Sequence, residues 1–396
     1  MADSEVVICA VARTPIGRFR GALREYSAIE LGVMAVKELL ERASIDPASG
    51  IIDEVLFGQV LQAGSGQAPA RQVALGAGLP DSIPATTINK VCGSGLKTVM
   101  LAANSIRAGE YKVIVCGGME SMTNAPHLVW GPKRGEDVAY GELAHSMIHD
   151  GLWDVYNDEH MGMTGETVAS EFEIERSTSD EFAARSHHLA QQAWDSGWME
   201  WESFPVAGID REGNPITLTQ DEGIRAQTSL ESLSELKPAF TETGQVTAGN
   251  ASQLSDGAAA LLVASATTAK KNGWPILATV VDQFTSGLEP ARVMAAPVPA
   301  VEALLTRNSL HVDDLVYIEH NEAFAVASCA VAKGVGISDE KFNPHGGAVA
   351  IGHPLGATGA RCLMTLISAI TRKGGGKGIV TLCLGGGNAV AMLIKI

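Results

Sequence analysis

A ten-residue segment near the start of the chain recurs in its last third. Val36-Lys-Glu-Leu-Leu-Glu-Arg-Ala-Ser-Ile45 and Val301-Glu-Ala-Leu-Leu-Thr-Arg-Asn-Ser-Leu310 share Val, Leu, Leu, Arg and Ser at equivalent positions. Each is followed by an apolar run, Asp53-Glu-Val-Leu-Phe57 in one case and Asp314-Leu-Val-Tyr-Ile318 in the other. Further on, Ser94-Gly-Leu opens a helical pattern leading to Lys112-Val-Ile-Val-Cys-Gly-Gly118, and Thr358-Gly-Ala opens another leading to Gly378-Ile-Val-Thr-Leu-Cys-Leu-Gly-Gly-Gly387. The first strands correspond too, Val6-Val-Ile-Cys-Ala-Val-Ala12 with Ile276-Leu-Ala-Thr-Val-Val-Asp282. A supersecondary unit repeated in one order predicts two similar α/β halves. Their strands are short and apolar enough to be buried on both faces.

Between the repeats the composition changes. Five of the six Trp (130, 153, 194, 198 and 201) lie between about Ser121 and Gly249, among runs of acids and connectors such as Asp210-Arg-Glu-Gly-Asn-Pro. A helix is predicted through Ser179-Asp-Glu-Phe-Ala-Ala-Arg, with a capping Ser or Thr and an acidic first turn. The stretch reads as an insertion from the first unit, and Gly257-Ala-Ala-Ala-Leu-Leu-Val-Ala264 as the strand that returns to it. The expected division is residues 1–120 with 250–271, then 121–249, then 272–396.

With 396 residues, 46% hydrophobic and 19% charged, the chain has ample material for a large core. Formal net charge is −16 and no dense Lys/Arg run occurs, which argues against nucleic acid and acidic membrane surfaces as partners. No apolar stretch approaches the ~18 residues of a membrane span, and the acidic N-terminus is no targeting signal, so a cytoplasmic location is expected. The six Cys show neither CxxC pairs nor zinc-type spacing, and read as reduced thiols. His187-His188 reads as a helix-surface pair.

Cys92 has the most chemistry in its surroundings. Pro84-Ala-Thr-Thr-Ile-Asn-Lys-Val91 has the β-branched content of a strand, and Leu96, Val99, Met100, Ala103 and Ile106 recur at helical spacing. The thiol therefore falls at a strand-to-helix turn, where Gly93 and Gly95 leave backbone N–H groups open. The positive helix end favours thiolate there by at most ~2 kcal/mol, so a base is still needed. His353, set among glycines before the second unit's helix, is predicted at the equivalent strand-to-helix turn. If the two halves pack about a pseudo-twofold axis, His353 reaches Cys92. Cys383, beside Gly385-Gly-Gly387, and Asn321, in His320-Asn-Glu322, fall at strand ends of the second unit, where α/β sheets place ligands.

These segments also resemble a known family. Asn89-Lys-Val-Cys-Gly-Ser-Gly95, Asn321-Glu-Ala-Phe-Ala325, Asn343-Pro-His-Gly-Gly-Ala-Val-Ala-Ile-Gly-His-Pro-Leu-Gly-Ala-Thr-Gly359 and Cys383-Leu-Gly-Gly-Gly387 are similar to the four signature motifs of thiolases. The resemblance runs from Ala12-Arg-Thr-Pro-Ile-Gly17 to the last strand, and departs at Thr98 and Asn388-Ala389. It implies a thiolase-like five-layered αβαβα core of two internal repeats, an inserted CoA-binding loop domain and a homotetramer. It also implies an acyl-transfer site built from Cys92, His353, Cys383 and Asn321, with the Gly385 N–H as an oxyanion donor. Gly117-Gly-Met-Glu-Ser-Met-Thr-Asn-Ala-Pro-His127, Glu159-His-Met-Gly162 and Val246-Thr-Ala-Gly-Asn-Ala-Ser252 are closer to members that handle acetyl-CoA and acetoacetyl-CoA. By resemblance Ala248 and Ser252 line the pantetheine arm, Arg225 meets the nucleotide, and His160, Met161, Phe240 and Phe324 shape the acyl pocket. No metal or redox cofactor is implied. A 3-ketoacyl-CoA thiolase of broader chain length and a non-catalytic scaffold subunit are the alternatives.

Overall fold

The computed structural model describes residues 4–130 and 143–396, so residues 131–142 of the expected insertion lie outside the described residues. The main sheet is built from β1 (Val6–Arg13), β2 (Glu54–Gly58), β3 (Ala85–Ile88), β4 (Val113–Ser121), β5 (Ser255–Ser265), β6 (Ala278–Gly287), β7 (Tyr317–His320), β8 (Lys377–Leu384) and β9 (Asn388–Lys395). The helices that matter here are α1 (Ala28–Arg42), α2 (Pro69–Gly76), α3 (Ser94–Ala108), α4 (Met161–Glu171), α5 (Arg176–Asp195), α6 (Pro297–Arg307), α7 (Ala325–Val335) and α8 (Leu355–Lys373).

Strand order is β7-β8-β9-β6-β1-β5-β4-β2-β3, with the two-residue strand Gly17–Arg18 against the start of β5. The order β1-β5-β4-β2-β3 of one half repeats as β6-β9-β8-β7 in the other, with matching parallel and antiparallel pairings. The halves join where Val6–Ile8 pairs Val280–Ala278. In the second half the edge strand shrinks to a single bridge between Ile318 and Phe342.

Side chains alternate between two cores along each strand, the period of two expected of a sheet covered on both faces. Val7, Ala260 and Leu262 pack with α1 and α2 in one cluster. Val6, Ile8, Leu261 and Val263 face the other way, onto α3 and α8, and there they meet Val380, Leu382, Val390 and Met392 from the second half. Ile379, Ala391 and Leu393 turn outward onto α6 and α7. The result is five layers, with α3 and α8 as the shared middle one. Glycine permits the closeness of that layer: a Cβ on Gly95 would collide with the backbone of Ala360, and one on Gly359 with the backbone of Leu96. This contact brings the N-termini of α3 and α8 together.

The chain leaves the sheet after β4 and returns as β5, which lies between β1 and β4. The intervening segment is tied to the sheet by buried charge. Arg13, 1% exposed, pairs with Glu202 at 2.6 Å and Asp221 at 2.7 Å. Within the second half, Arg361 on α8 likewise bonds Glu319 on β7 at 2.8 Å. Removing Arg13 leaves its two acidic partners buried without their cation, and breaking a buried pair in this way costs about 3–5 kcal/mol.

Two local expectations fail in α5. The helix begins at Arg176, upstream of the expected start, and its N-cap Glu175 makes no side-chain capping bond. His187 is buried rather than on the surface, because Arg225 N–H donates to its Nδ1 at 3.1 Å; only His188 is exposed. No helix among the described residues is long and apolar enough to cross a membrane.

Candidate active site

Between the end of β3 at Ile88 and the start of α3 at Ser94 the chain makes a strained turn. Val91 has φ +47, a region that β-branched residues avoid and that costs about 1–3 kcal/mol to hold. Three hydrogen bonds over-determine it. Val91 N–H donates to Asn89 Oδ1 at 3.0 Å, Lys90 N–H donates to Ser94 Oγ at 2.9 Å, and that hydroxyl donates to Val91 O at 2.6 Å. Cys92 sits at the apex, half-buried.

His353 occupies the equivalent place before α8, but the element leading into it is the short helix Ala348–Ile351 and not the expected strand. Gly352, at φ +109, reverses the chain. The His353 N–H donates to Gln253 O at 3.1 Å, with Ser255 Oγ also within reach at 3.2 Å. The imidazole is oriented by its own helix: Nδ1 lies 2.6 Å from Thr358 Oγ1, whose hydroxyl donates to Pro354 O at 2.9 Å. With its one proton committed, Thr358 accepts from His353 Nδ1–H. This fixes Nε2 as the unprotonated nitrogen. Asn321 Nδ2 donates to it at 3.3 Å, and Asn321 Oδ1 is buried without a partner among the described residues.

Cys383, near the end of β8, is 2% exposed with Sγ 3.7 Å from Met294 Sδ. Ala389 faces it in regular register across the β8–β9 hairpin, so the departure from the family pattern there leaves the strand undistorted. One cavity is lined by Cys92, His353, Cys383, Gly385, Met161, Ser252, Phe324 and Met294. Asn321 stands one hydrogen bond behind it. His160 and Phe240 stack with centroids 4.6 Å apart, and Phe240 meets Phe324 edge-on at 6.3 Å, so both form the wall behind Phe324. Arg225 and Ala248 are exposed and outside this lining.

The family description "Thiolase, N-terminal domain" matches residues 6–267, and "Thiolase, C-terminal domain" matches residues 274–396. The chain belongs to the thiolase family. It is 47% identical over 392 residues to an acetyl-CoA acetyltransferase of Cupriavidus necator, with 99% of each chain covered. It is 44% identical to a probable acetyl-CoA acyltransferase of Staphylococcus aureus, again over 99% of both. Among solved structures, human mitochondrial 3-ketoacyl-CoA thiolase superposes with TM-score 0.93 at 36% identity, over the full length of both chains.

The electrostatics of this thiolase run against the expected thiolate. Burial raises the Cys92 thiol above its ordinary range and the neighbouring Cys383 adds to the rise, while a hydrogen bond from its own backbone opposes them. Burial holds Cys383 up at about 12. His353 is depressed to about 3, by burial first and by Arg361 second. The resting site is therefore neutral thiol beside neutral imidazole, because burial penalises each charged form.

Several residues that hold the site lie inside the quoted motifs, but the sequence assigns them no role in it. Thr358 was legible only as a helix start. Glu120, fully buried, accepts the N–H groups of Val60, Leu61 and Gly356, anchoring the first turn of α8. Asn343 spans His320 through both N–H and C=O, and Glu322 accepts from Asn343, Ser186 and Val349, which fixes the loop carrying Asn321.

Proposed function

We propose that this thiolase catalyses the reversible Claisen condensation of two acetyl-CoA molecules to acetoacetyl-CoA and CoA through a Cys92 acyl-enzyme. The observation that carries the reading is a single cavity lined by two thiols and an imidazole whose Nε2 carries no proton. His353 Nε2 takes the Cys92 proton as Sγ attacks the thioester carbonyl. The departing CoA sulfur takes its proton from Cys383, which leaves a strongly basic thiolate. That thiolate removes a proton from the methyl group of a second acetyl-CoA. The carbanion attacks the Cys92 thioester, and His353 returns its proton to the Cys92 sulfur.

Each step builds negative charge on a thioester oxygen. The N–H groups of Cys92 and Gly385 are suited to one such oxygen, and His353 with a water held by Asn321 to the other. A donor of this kind is worth ~10²–10³ in rate. Ser252 and Ala248 would follow the pantetheine arm, and Arg225 the nucleotide. Met161, Met294 and Phe324 crowd the cavity with apolar bulk, and Phe240 backs Phe324, which supports a short acyl group.

The kinship with a 3-ketoacyl-CoA thiolase and with an acyltransferase supports a second reading, a broader chain-length range. Thiolysis rates over 3-ketoacyl-CoA substrates of increasing length separate the two. The acetoacetyl reading requires a maximum at four carbons, and activity that climbs with longer chains overturns it.

A further inference from the structure

The turn that carries Cys92 and the turn that carries Gly385 come from different repeats. Both hold backbone in the left-handed region, Val91 at φ +47 in one, and Gly386 at φ +83 and Gly387 at φ +79 in the other. A side-chain hydrogen bond crosses between them, from Lys90 Nζ to Asn388 Oδ1 at 2.6 Å, with both residues partly buried. Lys90 lies two residues before Cys92, and Asn388 lies three residues after Gly385 as the first residue of β9.

We propose that Lys90 and Asn388 are a positioning pair that clamps the Cys92 turn to the Gly385–Gly387 turn and sets the spacing of the Cys92 and Gly385 N–H groups. The inference rests on the catalytic reading above for its rate consequences, but its geometry stands apart from it. Lysine has donors and no acceptor, so the bond fixes the amide orientation of Asn388. Its Nδ2 faces the bare Cα of Gly287, where a Cβ would approach to 3.3 Å. Asn388 is in turn anchored by its strand pairing with Leu384 and Gly287. The clamp is backed by close packing, since a Cβ on Gly93 would collide with Leu384 and Val390 of the same hairpin. Apolar contact alone sets how near the two turns come, but it leaves them free to slide. A charge-assisted hydrogen bond is directional, and it fixes their register.

The pair touches no reacting atom, so it acts on rate through the placement of other groups. A displacement of about 1 Å at such a site costs up to ~10²-fold. Lys90→Met and Asn388→Ala are each expected to lower kcat for condensation roughly tenfold, with KM for acetyl-CoA changed less than about twofold. The double variant is expected to lose about the same tenfold, and Lys90→Arg to recover most of the rate. Hydrogen–deuterium exchange of the 384–389 peptide is expected to quicken in both single variants. This last readout needs no turnover. Absence of a Cys92 acyl-enzyme in the unaltered protein would sink the functional reading and leave the exchange result to judge the clamp. Single variants with unaltered kcat and unaltered exchange overturn the pair, as does a double variant whose loss is the product of the two.

Discussion

His353 Nδ1 and Thr358 Oγ1 are 2.6 Å apart, and the hydroxyl between the imidazole and Pro354 O can only accept from the ring. One turn of α8 therefore chooses the tautomer of its own N-terminal histidine. Thr358→Val keeps the shape and removes the acceptor, so the ring is free to rotate and to carry its proton on Nε2. The expected loss is roughly 10–10² in kcat, and Thr358→Ser should restore most of it. Steady-state kinetics of both variants would check this, and a Thr358→Val enzyme as fast as the parent would show that the ring is oriented by something else.

Cys383→Ser separates the two half-reactions. In the proposed scheme attack on the first acetyl-CoA uses Cys92 and His353, and in the variant the proton held by His353 can pass to the departing CoA sulfur, so acyl-enzyme still forms, while carbon–carbon bond formation falls by about 10²–10⁴ for want of the base. Mass spectrometry of Cys92 after mixing with acetyl-CoA, alongside a condensation assay, reads the two steps independently. Condensation at near the parental rate would remove Cys383 from the mechanism.

The ionisation of the free site predicts an unusual pH profile for thiol modification. A Cys92 thiol raised by burial and by Cys383 offers little thiolate at neutral pH, so its alkylation by iodoacetamide should accelerate without levelling as pH rises from about 6 to about 9. Levelling near neutrality would mean that the helix end had won after all. His353, depressed to about 3, contributes no acid limb to kcat/KM in the mildly acidic range.

Two buried carboxyls set a stability trend on the alkaline side. Burial raises Glu120 to about 7 and Glu319 to about 8, the latter against the pull of Arg361. A group whose folded pKa is raised binds more protons in the folded state, so its stabilisation is complete below the unfolded value and is lost as pH climbs through the folded one. The depressed histidines act in the opposite sense, raising stability until their unfolded forms have lost their protons by about pH 7.5, and contribute no further change above it. Urea unfolding free energy should therefore fall as pH climbs from about 7.5 to about 8.5, through the raised value of Glu319 and the upper end of the Glu120 titration. A rise over that window would mean that these carboxylates are already ionised and fully compensated.

The crossing of α3 and α8 tolerates no added atom. Gly95→Ala places a methyl against the backbone of Ala360, which must move, and overpacking of this kind costs about 1–3 kcal/mol. Because the same crossing sets Cys92 beside His353, activity should fall further than stability alone explains. Denaturation midpoints and kcat measured on one preparation would test whether the two losses diverge.

The duplicated segments around Val36 and Val301 were enough to foresee two equivalent halves, since a strand order repeated in sequence can bury its apolar faces only by repeating in space. The glycine-rich stretches around Cys92, His353 and Cys383 were legible for a similar reason: sharp turns and open N–H groups need glycine whatever the fold. Sequence could not tell that His187 is inside, because the partner that satisfies it, Arg225 N–H, lies in another segment. Nor could it show that His353 follows a short helix, or that Thr358, Glu120 and Asn343 hold the site, since each acts through a hydrogen bond fixed only when distant elements pack. Residue types and their spacing were enough to single out Cys92, His353 and Cys383, which the fold brings to one cavity. The charge state of those groups depends on how the halves pack: the helix end favours a Cys92 thiolate, but burial where the two repeats meet desolvates the thiol, and that outweighs it.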